Sequence, residues 1–516
     1  MPIPREIETC FVVRNAAVFA RLPSVLARLA ETVSTPVHRE IEDRLLDTAD
    51  LLLAQAGAAL RLRLETGRNA ELTLKSLAPL TAGLAVRSEL SEPLRRVPPE
   101  PTVSCPGRLI AARVRRVLHD QPLRVCFRLR QQRAVYTVHT KEGALLLVSA
   151  DTVHLPGRPA RPVLELEIEL REGTLKALTV FSHKLKAALP LKPAALSKYD
   201  LGLRAAGLRR PPPAEPAPPA RNASAAEVLA FVLRKHTGRL CRHERSVRLD
   251  LNPEAVHDLR VACRRLRAAL QFLGPLAGPL PVRPLPDRLA RLGRKLGAVR
   301  DLDVHNSALE ARAARLPPAS RQSLQICLER LQRQRRKAHA RLLSVLETPP
   351  FAACCHDLGL LADRLAAQRH TAASARSAAQ PTIRRLLRRV RRLGDALRAD
   401  KPDTDLHRLR IRAKRLRYAC EFMEEVGGPA VADFAARVAR LQGALGLHQD
   451  LVVEEIQLGR LLASPEGKRT PVVRTALEAL LADVTTDRAA ARRECFKAWR
   501  RFDRRKARRE LLAALR

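Results

Sequence analysis

Two patterns of apolar and polar positions divide the chain. Ahead of residue 210, several short segments alternate with period two: EIETCFVV from Glu6, ALRLRLE from Ala59, ELTLKSL from Glu71 and VLELEIEL from Val163. Each predicts a half-buried strand with one apolar and one charged face. Helical spacing appears near 15–31 and 174–189. Beyond residue 225 the alternation almost vanishes. Ala/Leu/Arg stretches with three-and-four spacing run to the C-terminus, broken at 274–286, Pro317-Pro318, Pro349-Pro350, Pro402 and Gly427-Gly428-Pro429. That half predicts an all-helical domain. Between the two lies PPPAEPAPPA at 211–220, a Pro/Ala stretch that reads as a semi-rigid linker. The expected division is a first domain at 1–208, a linker at 209–224 and a helical domain at 225–510.

Within the helical half one segment occurs twice. VHDLRVACRRLRAALQFL begins at Val256 and LHRLRIRAKRLRYACEFM at Leu406. The alignment pairs His257 with His407, Arg260 with Arg410, Arg264 with Lys414, Arg265 with Arg415 and Arg267 with Arg417. Apolar residues at 256, 259, 263, 266, 270 and 273, and again at 406, 409, 413, 416, 420 and 423, form one stripe of an amphipathic helix. The basic set sits one residue further on, about 100° around the helix, so each copy carries a cationic stripe beside its core stripe. No acidic residue lies between 259 and 270, which leaves like charges uncompensated within that helix. Asn252-Pro253 and Pro402-Asp403 read as helix starts with a capping side chain. His257 and His407 then fall near the first turns, where the helix dipole favours an anion. A second repeated element, LGAVRDLDV from Leu296 and LGLHQDLVV from Leu445, pairs Asp301 with Asp450. Both aspartates are expected to be buried and to orient basic side chains of a neighbouring helix.

Charge sharpens this picture. Lys plus Arg number 94 against 53 Asp plus Glu, a net charge of +41. The balance is about +12 before the linker and about +29 after it. Such an excess points to a polyanionic partner. Aromatics make up only 3% of the chain, too few for the stacking platforms that single-stranded nucleic acid binders use. Phosphate is the expected target, and the predominance of Arg over Lys suits forked recognition of its oxygens. The ten cysteines include no CxxC pair, and no secretory leader is evident. They read as reduced thiols of a cytoplasmic protein. No apolar run reaches membrane-spanning length, so no membrane partner is expected.

The strands carry charge in an unusual way. Arg61 and Arg63 share a face, as do Glu6 and Glu8, and Glu165, Glu167 and Glu169. Clustered like charges on neighbouring strands repel unless they line a barrel interior that holds metal and phosphate.

The paired HxxRxxxRRLR and HxxRxxxKRLR helices, each followed by an LG…D element, resemble the CHAD family (conserved histidine alpha-helical domain). The resemblance covers roughly 225–510. It implies a bundle of two pseudo-symmetric helical halves that binds inorganic polyphosphate. The ligands would be His257, Arg260, Arg264, Arg265, Arg267, His407, Arg410, Lys414, Arg415 and Arg417, with no cofactor.

The first half resembles the CYTH family of triphosphate tunnel proteins. The residues concerned are Glu6-Ile7-Glu8-Thr9-Cys10, the stretch LLDTADLLLAQAGAALRLR ending at Arg63, Lys75 and Arg87-Ser88-Glu89. Further on they are Arg128, Arg130, Asp151, the Glu165/Glu167/Glu169 strand and Ser197-Lys198-Tyr199. The resemblance implies an antiparallel barrel. Within it, Glu6, Glu8, Asp151, Glu165 and Glu167 would hold Mg2+ or Mn2+. Arg61, Arg63, Lys75, Arg87, Arg128, Arg130 and Lys198 would grip a triphosphate. Three departures stand out: Cys10 replaces the Lys of the family's ExExK signature, Leu45-Leu46 rather than an aromatic precedes Asp47-Thr48, and Asp151 lacks a downstream glycine partner.

The expected whole is an α+β multidomain chain, an N-terminal antiparallel β-barrel followed by a C-terminal all-α bundle. Its expected role is to bind inorganic polyphosphate or tripolyphosphate, with polyphosphate granules as a candidate location. The alternatives are a metal-dependent inorganic triphosphatase, which Cys10 argues against, and a nonspecific nucleic-acid binder, which the scarcity of aromatics argues against.

Overall fold

A computed structural model describes residues 4–97, 105–118, 121–157, 162–210, 215–279, 284–368, 373–398 and 402–516. The core of the Pro/Ala linker, 211–214, and part of the 274–286 Gly/Pro cluster, 280–283, lie outside the described residues. The chain groups into two compact units: 1–212 with 242–255, and 213–241 with 256–516. The grouping differs from the expected boundaries at one place. Arg242–Ala255 joins the first unit, where Leu249 and Leu251 enter an apolar cluster and Arg113 Nη1 donates to Leu249 O at 2.7 Å.

Among the described residues the first unit is built on ten strands: β1 (Arg5–Val13), β2 (Ala30–Val33), β3 (Val37–Asp47), β4 (Ala58–Glu65), β5 (Ala70–Ser76), β6 (Leu84–Leu94), β7 (Arg124–Thr140), β8 (Leu145–His154), β9 (Val163–Glu172) and β10 (Leu191–Pro193). Eight of them form the cycle β1-β6-β5-β4-β3-β7-β8-β9, closed by antiparallel pairing of β9 with β1. β10 adds to β1 and β2 to β7. Closure abolishes free edges and leaves an eight-stranded interior of small-ligand size.

The barrel is inverted relative to a water-soluble sheet with a dry centre. Its apolar faces point outward under helices. Leu60, Leu62, Leu72 and Leu74 pack with Ile110, Val114 and Val117 of helix Leu109–Leu118. On the other side Val138, Leu146, Val148, Leu166 and Ile168 pack with Leu22 and Leu26 of helix Ala17–Leu29 and Phe181 and Leu185 of helix Leu175–Ala188. The alternating charged positions therefore turn inward.

Helix Lys198–Ala205 is started by a capping box between Ser197 and Asp200. Gly202 lets it lie close against β7, because a Cβ there would come within 2.4 Å of the Phe127 ring. That close approach places Lys198 at the cavity.

The second unit is all helical among its described residues. The apolar stripes of both copies are buried: Leu259, Leu266, Leu273, Leu409, Ala413, Leu416, Cys420 and Met423 have no solvent exposure. They lie on helices Pro253–Phe272 and Asp403–Phe422 or, for Leu273 and Met423, one residue beyond them, and Phe272 stacks on Phe422 with ring centroids 6.5 Å apart. The first copy has its expected cap, Glu254 N donating to Asn252 Oδ1 at 3.0 Å. The second starts without one, Pro402 offering no side-chain acceptor. Asp301 and Asp450 are exposed, not buried as expected. The buried aspartate of the first element is Asp303, which accepts from Arg335 Nε at 2.8 Å. Among the described residues no two cysteines form a disulfide. Among the described residues no helix is long and apolar enough to cross a membrane.

Candidate functional site

The barrel encloses a cavity of about 1260 Å³ lined by residues of both charges. Carboxylates come from β1 and β9, where Glu6, Glu8, Cys10, Glu165, Glu167 and Glu169 all face inward. The register sets Cys10 opposite Glu167. Cations come from the strands that follow β1 around the barrel, Arg87 on β6, Lys75 on β5 and Arg61 and Arg63 on β4, with Lys198 from helix Lys198–Ala205; Glu89 on β6 and Asp43 on β3 lie among them. Leu45, Leu77, Leu129 and Tyr199 contribute an apolar patch of the wall.

Two buried aspartates organise the cations. Asp43 accepts a two-pronged bond from Arg63, both contacts at 2.8 Å, and a third from Gln131 Nε2 at 2.6 Å. Burial alone would raise its carboxyl, but Arg63 and Arg61 hold it far below the usual carboxylate range. Asp151, fully buried, accepts two bonds from Arg133 at 2.7 Å and one from Lys198. Its oxygens are thus committed to cations. In this arrangement Asp151, expected as a metal ligand, positions Arg133 and Lys198. Removing its charge leaves Glu167 as the remaining carboxylate partner of Arg133, and Glu167 and Glu165 as those of Lys198. Asp151→Asn is therefore expected to destabilise the barrel unit by about 2 kcal/mol, read as a lowered midpoint in denaturant unfolding. A shift below about 0.5 kcal/mol would show that Arg133 and Lys198 do not depend on it.

Arg128 and Arg130 do not reach the cavity. They lie on the outer face of β7 and approach Glu42 at 3.9 and 3.7 Å. The inward residues of that strand are the odd-numbered ones, Leu129, Gln131 and Arg133. Arg133, absent from the expected set, bridges Asp151 and, through Nη2 at 2.6 Å, Glu167. The pattern of β7 could not reveal this, because its inward face begins apolar and only then turns charged.

Further carboxylates of the cavity are displaced from their ordinary range. Burial pushes Glu165 up to about 7 despite Lys198 nearby, and likewise Glu169 to about 7 despite Arg171. Burial would also raise Glu167, but Lys198 and Arg133 overrule it and keep that carboxyl well below its ordinary value. The Cys10 thiol is driven far upward by burial, reinforced by Glu8, Glu167 and Glu165. It is a neutral group where the family signature has a cation.

Whether these residues fit a divalent ion can be judged from their donors. Glu8, Cys10 and Glu167 bring one donor atom each within 4.8 Å of one another. Glu165 Oε2 is buried and accepts no hydrogen bond, with Lys198 Nζ 3.5 Å away. The carboxylate oxygens of Glu8 and Glu167 suit a hard divalent cation, so the carboxylates fit one, while the neutral Cys10 thiol adds no oxygen ligand. Glu8 is meanwhile bonded to Arg87, and Lys75 contacts Glu6 and lies 3.8 Å from Glu8.

In the helical unit the two repeated helices bring their cationic stripes together. Arg260, Arg264, Arg410 and Arg417 all act electrostatically on Lys414. The guanidinium carbons of Arg264, Arg265 and Arg417 lie 5.5 to 5.8 Å from the Tyr418 ring centroid. Arg265 and Arg417 share Glu421, at 2.9 and 3.1 Å. Compensation for Arg265 of the first copy thus comes from the second copy, which the spacing within one helix could not show. Among the described residues Arg260, Arg264, Arg410 and Lys414 have no carboxylate within 4.0 Å. Their Coulomb cost shows in two groups. Burial and the surrounding arginines depress Lys414 to about 7, and burial lowers Arg264 as well.

The remaining expected ligands are placed differently. His407 Nδ1 meets Gln449 Oε1 at 2.6 Å. His257 and Arg267 are half-buried on the first repeated helix. Arg415 faces away from the cluster and lines a separate groove. Asp450 is exposed yet feels Arg410 and Arg300, although burial raises its carboxyl.

Comparison with known proteins gives two family matches, a CYTH domain at residues 4–199 and a CHAD domain at 231–459. An uncharacterized protein of Mycobacterium tuberculosis strain H37Rv is 29% identical over 320 residues, 57% of this chain and 56% of its own length. The chain thus spans little more than half of that relative. Among solved structures, the CHAD domain from the plant Ricinus communis is 24% identical, covering 55% of this chain and 93% of its own, with a TM-score of 0.45. An adenylyl cyclase candidate from Hippeastrum, described as having a dominant triphosphatase activity, is 21% identical over 40% of this chain and 98% of its own, with a TM-score of 0.29.

Proposed function

We propose that this chain, which carries a CYTH domain at residues 4–199 followed by a CHAD domain at 231–459, is a binding protein for inorganic polyphosphate whose barrel takes a triphosphate. The observation that carries the reading is the quartet Arg260, Arg264, Arg410 and Lys414. Four half-buried cations face one another from two rigid helices, and among the described residues no carboxylate lies within 4.0 Å of any of them. An arrangement of this kind is unfavourable until an anion enters. A flexible phosphate chain can meet several guanidinium forks at once, and the quartet offers no stacking surface for bases beyond Tyr418.

In the barrel, Arg61, Arg63, Lys75, Arg87, Arg133 and Lys198 would surround the phosphates. Glu8 and Glu167, with Glu6 and Glu165, would hold Mg2+ or Mn2+, and such an ion would neutralise phosphate charge there. The convergence of Glu8 and Glu167 also favours a second reading, metal-dependent hydrolysis of tripolyphosphate. The neutral Cys10 thiol ranks it below binding.

Calorimetric titration of the full chain with long-chain polyphosphate, in competition with duplex DNA, tests the first reading. Polyphosphate is expected to displace the DNA; if DNA instead displaces polyphosphate, the protein is a nucleic-acid binder. The same titration has a predicted pH dependence. Lys414 is depressed to about 7 when the site is empty, and a bound polyanion favours its charged form. Binding must then take up a proton above that pH. Affinity should be level below about pH 7 and fall roughly tenfold by pH 8.5, within the limit of tenfold per pH unit set by one group. Lys414→Arg should flatten the profile. An unchanged slope in that variant would remove Lys414 from the binding site.

A further inference from the structure

The structure holds a second cationic feature on the far side of the second repeated helix. A groove of about 520 Å³ runs between helices Ala375–Asp395 and Asp403–Phe422, lined by Arg389, Arg392, Arg408, Arg412 and Arg415. Among the described residues Leu393 and Ile411 supply its apolar lining, and no acidic residue lines it. Arg408 reaches Asp405 at 3.2 Å. Among the described residues the other four arginines have no carboxylate within 4.0 Å. Lys414 and Arg415 are adjacent in sequence and so about 100° apart around one helix. The groove and the quartet are therefore separated only by the exposed ridge of His407, Ile411 and Arg415.

The duplication shows that the groove is not a by-product of the repeat. At the matching positions of the first copy, Arg408 corresponds to Asp258, Arg412 to the buried Ala262, and Arg415 to Arg265, which Glu421 neutralises. The second copy alone presents this face as an uncompensated concave array. Concave arrays of one sign focus potential more strongly than flat ones.

We propose that this groove is a second phosphate-chain site, which a long polyphosphate occupies while it is also held by the quartet. The assignment rests on the reading of the quartet given above. The groove takes phosphate rather than bases, since its lining has forked donors and no aromatic ring. Two sites on one helix make the second binding event intramolecular, so a long chain gains affinity through effective concentration.

The test uses the full chain and long-chain polyphosphate over a range of salt. In R389Q/R392Q/R412Q the affinity is expected to fall about tenfold. The log–log salt slope should decrease by roughly 2, at about 0.7 for each phosphate that is no longer neutralised. R389K/R392K/R412K should keep the slope, since it keeps the charges. R260Q/R264Q/R410Q/K414Q should bind weakly but measurably through the groove. Wild-type affinity and slope in the R389Q/R392Q/R412Q variant would overturn the second site, whereas wild-type affinity in the quartet variant would overturn the reading of the quartet. Equal losses in the lysine and glutamine groove variants would point to damaged packing and also overturn it. A groove variant that loses affinity for duplex DNA but not for polyphosphate would assign the groove to nucleic acid instead.

Discussion

Replacing Arg260, Arg264, Arg410 and Lys414 together by Gln is expected to lower affinity for long-chain polyphosphate by at least about 100-fold near 0.1 M salt. A charge-assisted hydrogen bond contributes about 1.5–3 kcal/mol, and even heavily discounted for partial exposure four of them exceed the roughly 2.7 kcal/mol that 100-fold requires. The salt slope should fall by roughly 3. The same variant should not lose stability. The quartet is a set of mutually repelling cations, two of which, Arg264 and Lys414, are already pushed towards neutrality. Neutral amides relieve that repulsion, so Tm should stay level or rise by a few degrees, the usual trade between a strained binding site and the stability of its scaffold. Unchanged affinity in a folded quartet variant would remove the basis of the polyphosphate reading. A large drop in Tm would show instead that the four side chains serve the fold.

The repeated helices were legible because a helix writes its burial into a regular spacing. The stripes at 256–273 and 406–423 are buried as that spacing requires. What it could not disclose is where each basic side chain points once two helices meet. Arg264 and Arg415 both flank core positions, yet one joins the quartet and the other a groove 100° away. Tyr418 and Glu421 were read only as part of the second copy's sequence, although they sit among Arg264, Arg265 and Arg417. Asp301 and Asp450 misled for a related reason. They hold the same position of the repeated element, but the buried aspartate is Asp303, whose partner Arg335 comes from a helix with no repeat signature.

In the barrel the strands with strict alternation, β1, β4, β5 and β9, were readable, and so was the inward turn of their charges. β7 was not. Its arginines at 128 and 130 look like the pair at 61 and 63, but β7 keeps apolar Phe127 and Leu129 on its inner side near the capping helix. Polarity alone therefore gives the wrong face. A register shift between Leu45 and Leu46 of the neighbouring β3 adds to the ambiguity. Asp43 and Asp47 show the same limit. The first anchors Arg63 and Gln131 inside the barrel. The second caps a short turn by accepting from Thr48, Leu53 and Ala54. Nothing in their local sequence separates an electrostatic anchor from a cap.

The second large effect concerns position 10. Cys10→Lys is expected to raise Mg2+- or Mn2+-dependent phosphate release from tripolyphosphate by at least about tenfold, which needs only about 1.4 kcal/mol of added transition-state stabilisation. The position is suited to it. Cys10 faces the cavity, its sulfur lies within 4.8 Å of donor atoms of Glu8 and Glu167, and burial keeps the thiol neutral. An ammonium there would add a fixed charge where phosphate charge gathers, an interaction that is strong in a site shielded from water. It would also compete for Glu167, which already carries Lys198 at 2.9 Å and Arg133 at 2.6 Å. Half-saturation by the metal should accordingly shift to higher concentration in the variant. Adding Glu6→Ala and Glu8→Ala should return phosphate release to background, because those carboxylates and Lys75 hold one another in place. If Cys10→Lys folds, binds tripolyphosphate and still releases no phosphate above background, the missing lysine is not what limits the barrel. If the parent chain already turns over as fast as the variant, the barrel is an enzyme in its own right, and the triphosphatase reading displaces that of a binding module.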